Sequence, residues 1–201
     1  KLRITDFASN PSLPPLVLLL PGSRKREIEV HLPVMIETFL QMRARQSVRS
    51  RLVLPTPESR DFARRIAGSD FESELQSGGL AAALAEADLA IASSGTVTLE
   101  CAFFHVPTVV LYKTSWLTYW IARQIVQVKY VAMPNILAGE RVFPEFIQSE
   151  ATPDNITPEA IDLLNNIHRR AAVKDKLARV IAALGEPGAS QRAAEAVLSL
   201  L

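Results

Sequence analysis

The sequence holds one cysteine, Cys101. A single cysteine excludes an internal disulfide framework and fits a reducing compartment. It sits in the apolar run LECAFF, which reads as a buried structural thiol rather than a nucleophile. No apolar run reaches the ~20 residues of a membrane span, and no secretory signal is present. Neither sign of charge dominates: 22 basic residues face 21 acidic ones, a net charge of +1. No global field therefore argues for a nucleic-acid partner. The three histidines, His31, His105 and His168, are scattered without ligand spacing, so no metal is expected. GxSxG, P-loop and CxxC patterns are missing, as are internal repeats and low-complexity tracts. The first methionine, Met35, lies beyond the first apolar run, which reads as a piece of a longer protein.

What is present is an ordinary globular composition. Its 201 residues are 48% hydrophobic, enough for one large domain or two small ones. Residues 1–15 are polar and proline-bearing, and read as an interdomain linker. Leu16–Leu20 is a continuous apolar run, the mark of a parallel strand buried on both faces. Helical spacing follows from Lys25 to about Gln46. Strands are expected at Arg51–Leu54, within 68–78, at Asp88–Ala92 and at Thr108–Tyr112, with Tyr130–Met133 extended. Helices are expected at Glu58–Ala67, Leu80–Glu86, Val97–Phe104, Trp116–Gln127, Pro158–Arg170, Val173–Leu184 and Ala189–Leu200. This alternation predicts an α/β fold, a parallel sheet with helices on both faces. Ligands in such sheets bind beyond the carboxyl ends of the strands.

Three segments begin at such ends. In the run LLLPGSRKREI, Gly22 and Ser23 form the turn out of the first strand. Arg24 follows, where a guanidinium can clamp a diphosphate with charge-assisted hydrogen bonds. The plain alternative is a solvated helix start. The second run, SSGTVTLE, spans 93–100. Small residues let a ligand approach the backbone, and the free N–H groups of a helix start face phosphate. Here Ser94, Gly95 and Thr96 are the candidates, and Glu100, about one turn in, could accept from ribose hydroxyls. A helix cap is the competing reading. The third run, MPNILAGERVFPEFIQ, covers 133–148. Asn135 is read at a strand end, where its amide orients a sugar or phosphate, or caps the next helix. Gly139 follows one turn on. Glu145 and Gln148 read as a solvated face. Trp116–Val131 combines Trp116, Tyr119 and Trp120 with Arg123 and Lys129. That pattern fits a packed helix, with a membrane-interface helix as the alternative.

Taken together, LLPGSR followed by Glu27-Ile28, ASSGTVTLEC, PTVVLYK, Lys129-Tyr130-Val131 and MPNILAGERVFPEFIQ resemble the C-terminal half of the lipid-A-disaccharide synthase family. The resemblance covers nearly all of residues 16–200. It implies a Rossmann-like domain of the GT-B type, with residues 16–201 as the UDP-sugar donor domain and the N-terminal acceptor domain absent from this chain. The reaction it implies moves 2,3-diacylglucosamine from UDP to 2,3-diacylglucosamine 1-phosphate, forming the lipid A disaccharide precursor. Arg24 and Asn135 are the catalytic candidates it names. Gly22, Ser23, Arg24, Ser94, Gly95, Thr96, Glu100, Tyr112, Asn135 and Gly139 would contact the UDP-sugar. No metal or other cofactor is implied. The general base, a carboxylate, would lie in the other half, so this chain alone is expected to transfer nothing. A cytoplasmic place, peripheral on the inner face of the inner membrane, is implied, with membrane contact through Trp116–Val131. The alternatives are a UDP-GlcNAc epimerase, a lipid-linked GlcNAc transferase, or a non-catalytic nucleotide-binding half-domain.

Overall fold

A computed structural model describes residues 13–68, 71, 73–114, 129–185, 188 and 197–198. Six parallel strands form one sheet in the order β3-β2-β1-β4-β5-β6. They are β1 (Leu16–Leu20), β2 (Arg49–Leu54), β3 (Glu74–Ser77), β4 (Leu89–Ser93), β5 (Thr108–Tyr112) and β6 (Glu145–Ile147). The helices are α1 (Lys25–Arg45), α2 (Pro57–Ala67), α3 (Leu80–Glu86), α4 (Val97–Phe103), α5 (Met133–Ala138), α6 (Pro153–Asn165) and α7 (Ile167–Ala183).

The two central strands explain themselves. Every residue of β1 (LVLLL) and β4 (LAIAS) is buried, because helices cover both faces of the sheet there. Helices α1, α2 and α6 pack together in one layer, and α4, α5 and α7 in the other. Asp88 ties the base of β1 to the base of β4: its carboxylate accepts from Leu16 N at 2.8 Å, and its own N–H donates to Leu16 O. On the β2 side, Arg51 is nearly buried and is held by Glu74 at 2.7 Å and Glu86 at 3.1 Å. These carboxylates raise its pKa against the opposing pull of burial, so the cation is retained inside the sheet.

The chain winds from β1 to β2 and β3, then crosses back to β4 on the other side of β1. That reversal makes the β1/β4 boundary the switch point, where helices and loops diverge and leave a crevice.

Several sequence expectations change. The strand expected within 68–78 is β3, at the sheet's edge. No strand was expected at 145–147, yet β6 forms the opposite edge. Residues 130–132 are irregular, and Met133, taken as extended, opens α5, since Pro134 suits a helix's first turn. The C-terminal helices start earlier than expected. Thr152 caps α6 by accepting from Asn155 N, and Pro153 follows it. Asn166 ends α6 and caps α7 by accepting from Arg169 N at 3.1 Å. The break therefore falls at 166, not near 171. Pro33 lies inside α1, which runs on through it. The helix expected at Trp116–Gln127 lies outside the described residues, as does most of that expected at Ala189–Leu200 and of the linker at 1–15. Cys101 is fully buried on α4, and burial pushes its thiol up to about 12, so it is held as the inert thiol.

Candidate functional site

A cavity of about 510 Å3 opens at the carboxyl ends of β1, β2, β3 and β4. That volume suits a small organic ligand. Four chain segments meet in it: Gly22–Arg24 with Glu27, Val53–Pro55, Gly78–Leu80, and Ser93–Val97 with Glu100. The first and last are neighbours because β1 and β4 are paired, with Leu20 opposite Ala92.

The β1 turn is built around Glu27. One carboxylate oxygen accepts from Ser23 N at 3.0 Å and Arg24 N at 3.2 Å. The other faces Arg24 Nη1 at 3.4 Å. The amides of Ser23 and Arg24 are thus used within the chain. What this turn offers an anion is the Arg24 guanidinium, 84% exposed, and the exposed Ser23. Lys25 lies over the Phe62 ring on α2, at 5.8 Å, and does not line the cavity.

The β4 turn presents Ser94, Gly95 and Thr96. Gly95 has φ +152, and a Cβ built on it would meet nothing within 4 Å, so its backbone is open to the cavity. Ser94 Oγ donates to Val131 O at 2.8 Å, which leaves its lone pairs but not its proton for a ligand. Glu100, exposed, completes this wall. The structure thus brings Gly22, Ser23, Arg24, Ser94, Gly95, Thr96 and Glu100 to one cavity.

Asn135, Tyr112 and Gly139 are not among the residues lining it. Asn135 is fully buried in α5. Its Oδ1 accepts from Val142 N at 2.9 Å and Phe143 N at 2.8 Å. Its Nδ2 donates to Phe143 O and to Glu145 Oε1, each at 2.8 Å. An amide has two donors and two acceptor lone pairs, so none is left for a phosphate or sugar. Gly139 is the C-cap of α5. Tyr112 lies beside His31, the ring centroids 6.1 Å apart. His31 is itself buried: it accepts from Lys113 N at 3.1 Å, which leaves Nδ1 as the donor to Pro21 O at 2.9 Å.

The solvated-face reading of Glu145 and Gln148 is also corrected. Glu145 accepts from Val131 N at 3.1 Å and Ala132 N at 2.7 Å. Gln148, with φ 53, accepts from Thr114 N and donates to Thr114 O. Both side chains secure the backbone on either side of 115–128.

Sequence reasoning missed the walls from β2 and β3. Val53, Leu54 and Pro55 present an apolar surface, and Gly78 N donates to Leu54 O at 2.8 Å, drawing the two loops together. The signal was there: Gly78-Gly79 follows an expected strand, and Pro55 ends another.

The family model described as "Lipid-A-disaccharide synthetase" matches residues 5–200. The lipid-A-disaccharide synthase of Myxococcus xanthus is 37% identical over 189 residues, covering 93% of this chain and 49% of the relative. That of Nitrosococcus oceani is 36% identical over 201 residues, covering 98% and 51%. The chain spans about half the length of these curated relatives. Among solved structures, a spinosyn rhamnosyltransferase complexed with thymidine diphosphate matches with a TM-score of 0.64 and 19% identity, over 94% of this chain and 47% of that one. MurG of Acinetobacter baumannii matches with a TM-score of 0.55 and 15% identity, over 96% and 52%. These likenesses show the fold, that of one half of a GT-B glycosyltransferase.

Proposed function

The chain belongs to the lipid-A-disaccharide synthetase family, and from that premise we propose that it is the donor-binding half of a glycosyltransferase. In this reading it holds UDP-2,3-diacylglucosamine while the sugar passes to 2,3-diacylglucosamine 1-phosphate. The observation that carries the reading is the shared cavity of Arg24, the Ser94–Thr96 turn and Glu100 at the β1/β4 switch point. The Arg24 guanidinium clamps the diphosphate. The Ser94–Thr96 turn lies along it, and Glu100 accepts from the ribose hydroxyls. The apolar wall of Val53–Pro55 with Gly78–Leu80 receives the base. The rhamnosyltransferase of like fold was solved with a nucleoside diphosphate, which supports this class of ligand.

The chemistry follows from charge. As the glycosidic bond breaks, negative charge grows on the UDP oxygens, and a positioned cation lowers that barrier. Arg24 stabilises the leaving group. The general base and the acceptor site belong, in this reading, to the part of the relatives that this chain does not span, so the chain alone binds donor and transfers nothing. Acylated substrates place the working enzyme at a membrane surface, peripheral on the cytoplasmic side. Among the described residues no helix is long and apolar enough to cross a membrane. The epimerase and lipid-linked transferase alternatives are disfavoured by family membership.

Calorimetric titration with UDP tests the site. Wild-type chain is expected to bind, and Arg24→Ala and Glu100→Ala each to weaken binding about 10- to 100-fold, the worth of a lost charge-assisted hydrogen bond. A folded wild-type chain that ignores UDP, or variants that bind like wild type, would overturn the assignment.

A further inference from the structure

The β4 wall of the cavity is anchored by residues far from it in sequence. Ser94 Oγ donates to Val131 O at 2.8 Å. Gly95 O accepts from Thr98 Oγ1 at 2.7 Å, and the same Oγ1 accepts from Met133 N at 3.2 Å. Both anchors therefore end on residues 131–133. That stretch is irregular up to Met133: Ala132 O accepts from Ile136 N at 3.1 Å as the N-cap of α5, but the N–H groups of Val131 and Ala132 belong to no helix or strand ladder.

The N–H groups of Val131 and Ala132 are held by one carboxylate. Glu145, at the start of β6, accepts from Val131 N at 3.1 Å and from Ala132 N at 2.7 Å. The same Oε1 accepts from Asn135 Nδ2 at 2.8 Å. Charge-assisted bonds of this kind are about twice as strong as neutral ones. Glu145 is half-buried and is itself held by the β5–β6 pairing, Val110 opposite Glu145. The sheet's edge strand thus fixes 131–133, and 131–133 fixes Ser94 and Gly95.

We propose that Glu145 is a positioning residue for the donor site: its carboxylate sets residues 131–133, which hold the Ser94–Thr96 turn where a diphosphate must meet it. This rests on the donor-site reading above. Glu145 is not among the residues lining the cavity. It acts through Ser94 and Thr98, never by touching the ligand. Its Oε1 also completes the amide network of Asn135, so the two side chains form one support.

Two substitutions separate this role from bulk and charge. Glu145→Gln keeps an acceptor at Oε1, where Ala132 N and Asn135 Nδ2 converge. Glu145→Ala keeps none. The test combines UDP titration, urea unfolding midpoints and amide exchange at 94–96 and 131–132. In Glu145→Ala, UDP binding is expected to fall about 10- to 100-fold, the scale of a small misplacement at a binding site. Amide exchange at 94–96 and 131–132 is expected to quicken. Glu145→Gln is expected to recover to within about 3-fold of wild type, since it restores the main acceptor. A folded Glu145→Ala with wild-type affinity and unchanged exchange at 94–96 overturns the proposal.

Should wild-type chain bind no UDP, the donor reading falls, and exchange at 94–96 still decides the role of Glu145 as support. Should Glu145→Ala not fold, Thr98→Val removes one anchor while keeping volume. Weakened UDP binding with faster exchange at 95–96 then supports the support role, and wild-type behaviour overturns it.

Discussion

Replacing Asn135 with alanine is expected to destabilise the chain by about 4 kcal/mol, because each buried polar group left without a partner costs about 1–3 kcal/mol. Three groups lose the amide as partner at once, Val142 N, Phe143 N and Phe143 O, and Glu145 loses one of its donors. All lie in or beside a fully buried site, where water cannot replace the amide. A loss of this size is a large share of the ~5–15 kcal/mol that holds a typical domain together. It is read from the urea midpoint at constant slope. Asn135→Asp fares no better, since it keeps the acceptors but sets a second carboxylate against Glu145. The result separates two roles for the residue. A wild-type unfolding midpoint for Asn135→Ala would contradict its structural role, and lost UDP binding at that unchanged midpoint would return it to the ligand.

Gly22→Ala is the second large effect. Gly22 has φ +117, a backbone region that L side chains rarely adopt. A Cβ there would stand 2.4 Å from Glu27 Oε2 and 2.9 Å from Glu27 Cβ. The oxygen in the way is the one that accepts from Ser23 and Arg24. The methyl therefore evicts the carboxylate that shapes the turn and orients Arg24. Strain and lost hydrogen bonds together are expected to cost about 2–4 kcal/mol, and UDP binding to fall at least ~10-fold as Arg24 moves. Gly68→Ala is the control. Gly68 also has a positive φ, +78, but nothing lies within 4 Å of its Cβ position and it does not line the cavity. It should show backbone strain of about 1–3 kcal/mol, because ψ is 173 there, and unchanged UDP binding. Equal behaviour of the two variants would mean that the Glu27 seat does not matter.

The parts of this molecule differ in how plainly its sequence announces them. Strands β1, β4 and β5 are apolar runs because both faces are covered, and such runs are visible without a partner. Strand β3 (ELQS) is half-polar because it lies at an edge, and β6 is three residues long, so neither carries a strong periodicity. The site follows the same division. Arg24, the Ser94–Thr96 turn and Glu100 were legible because strand ends in an α/β fold face the crevice. Asn135 was not. An asparagine that grips a ligand and one that grips its own loop look alike in sequence. Only the return of 142–145 over α5 reveals which it is, and that is tertiary information. Pro134 was the overlooked cue: it marks a helix's first turn and places Asn135 inside the helix rather than at a strand end. Glu145 and Gln148 looked like a solvated face because their partners, 131–132 and Thr114, lie 13 to 34 residues away.

The most direct measurement is amide shift mapping of the 15N-labelled chain during titration with UDP. The account predicts saturable shifts at Ser23, Arg24, Gly95, Thr96 and Gly79, which surround one cavity. It predicts none at Arg141, Val173 and Lys176, which line a separate hollow between α7 and the loop after α5. Shifts confined to that second hollow, or saturable binding that leaves 22–24 and 94–96 undisturbed, would contradict the donor-site assignment.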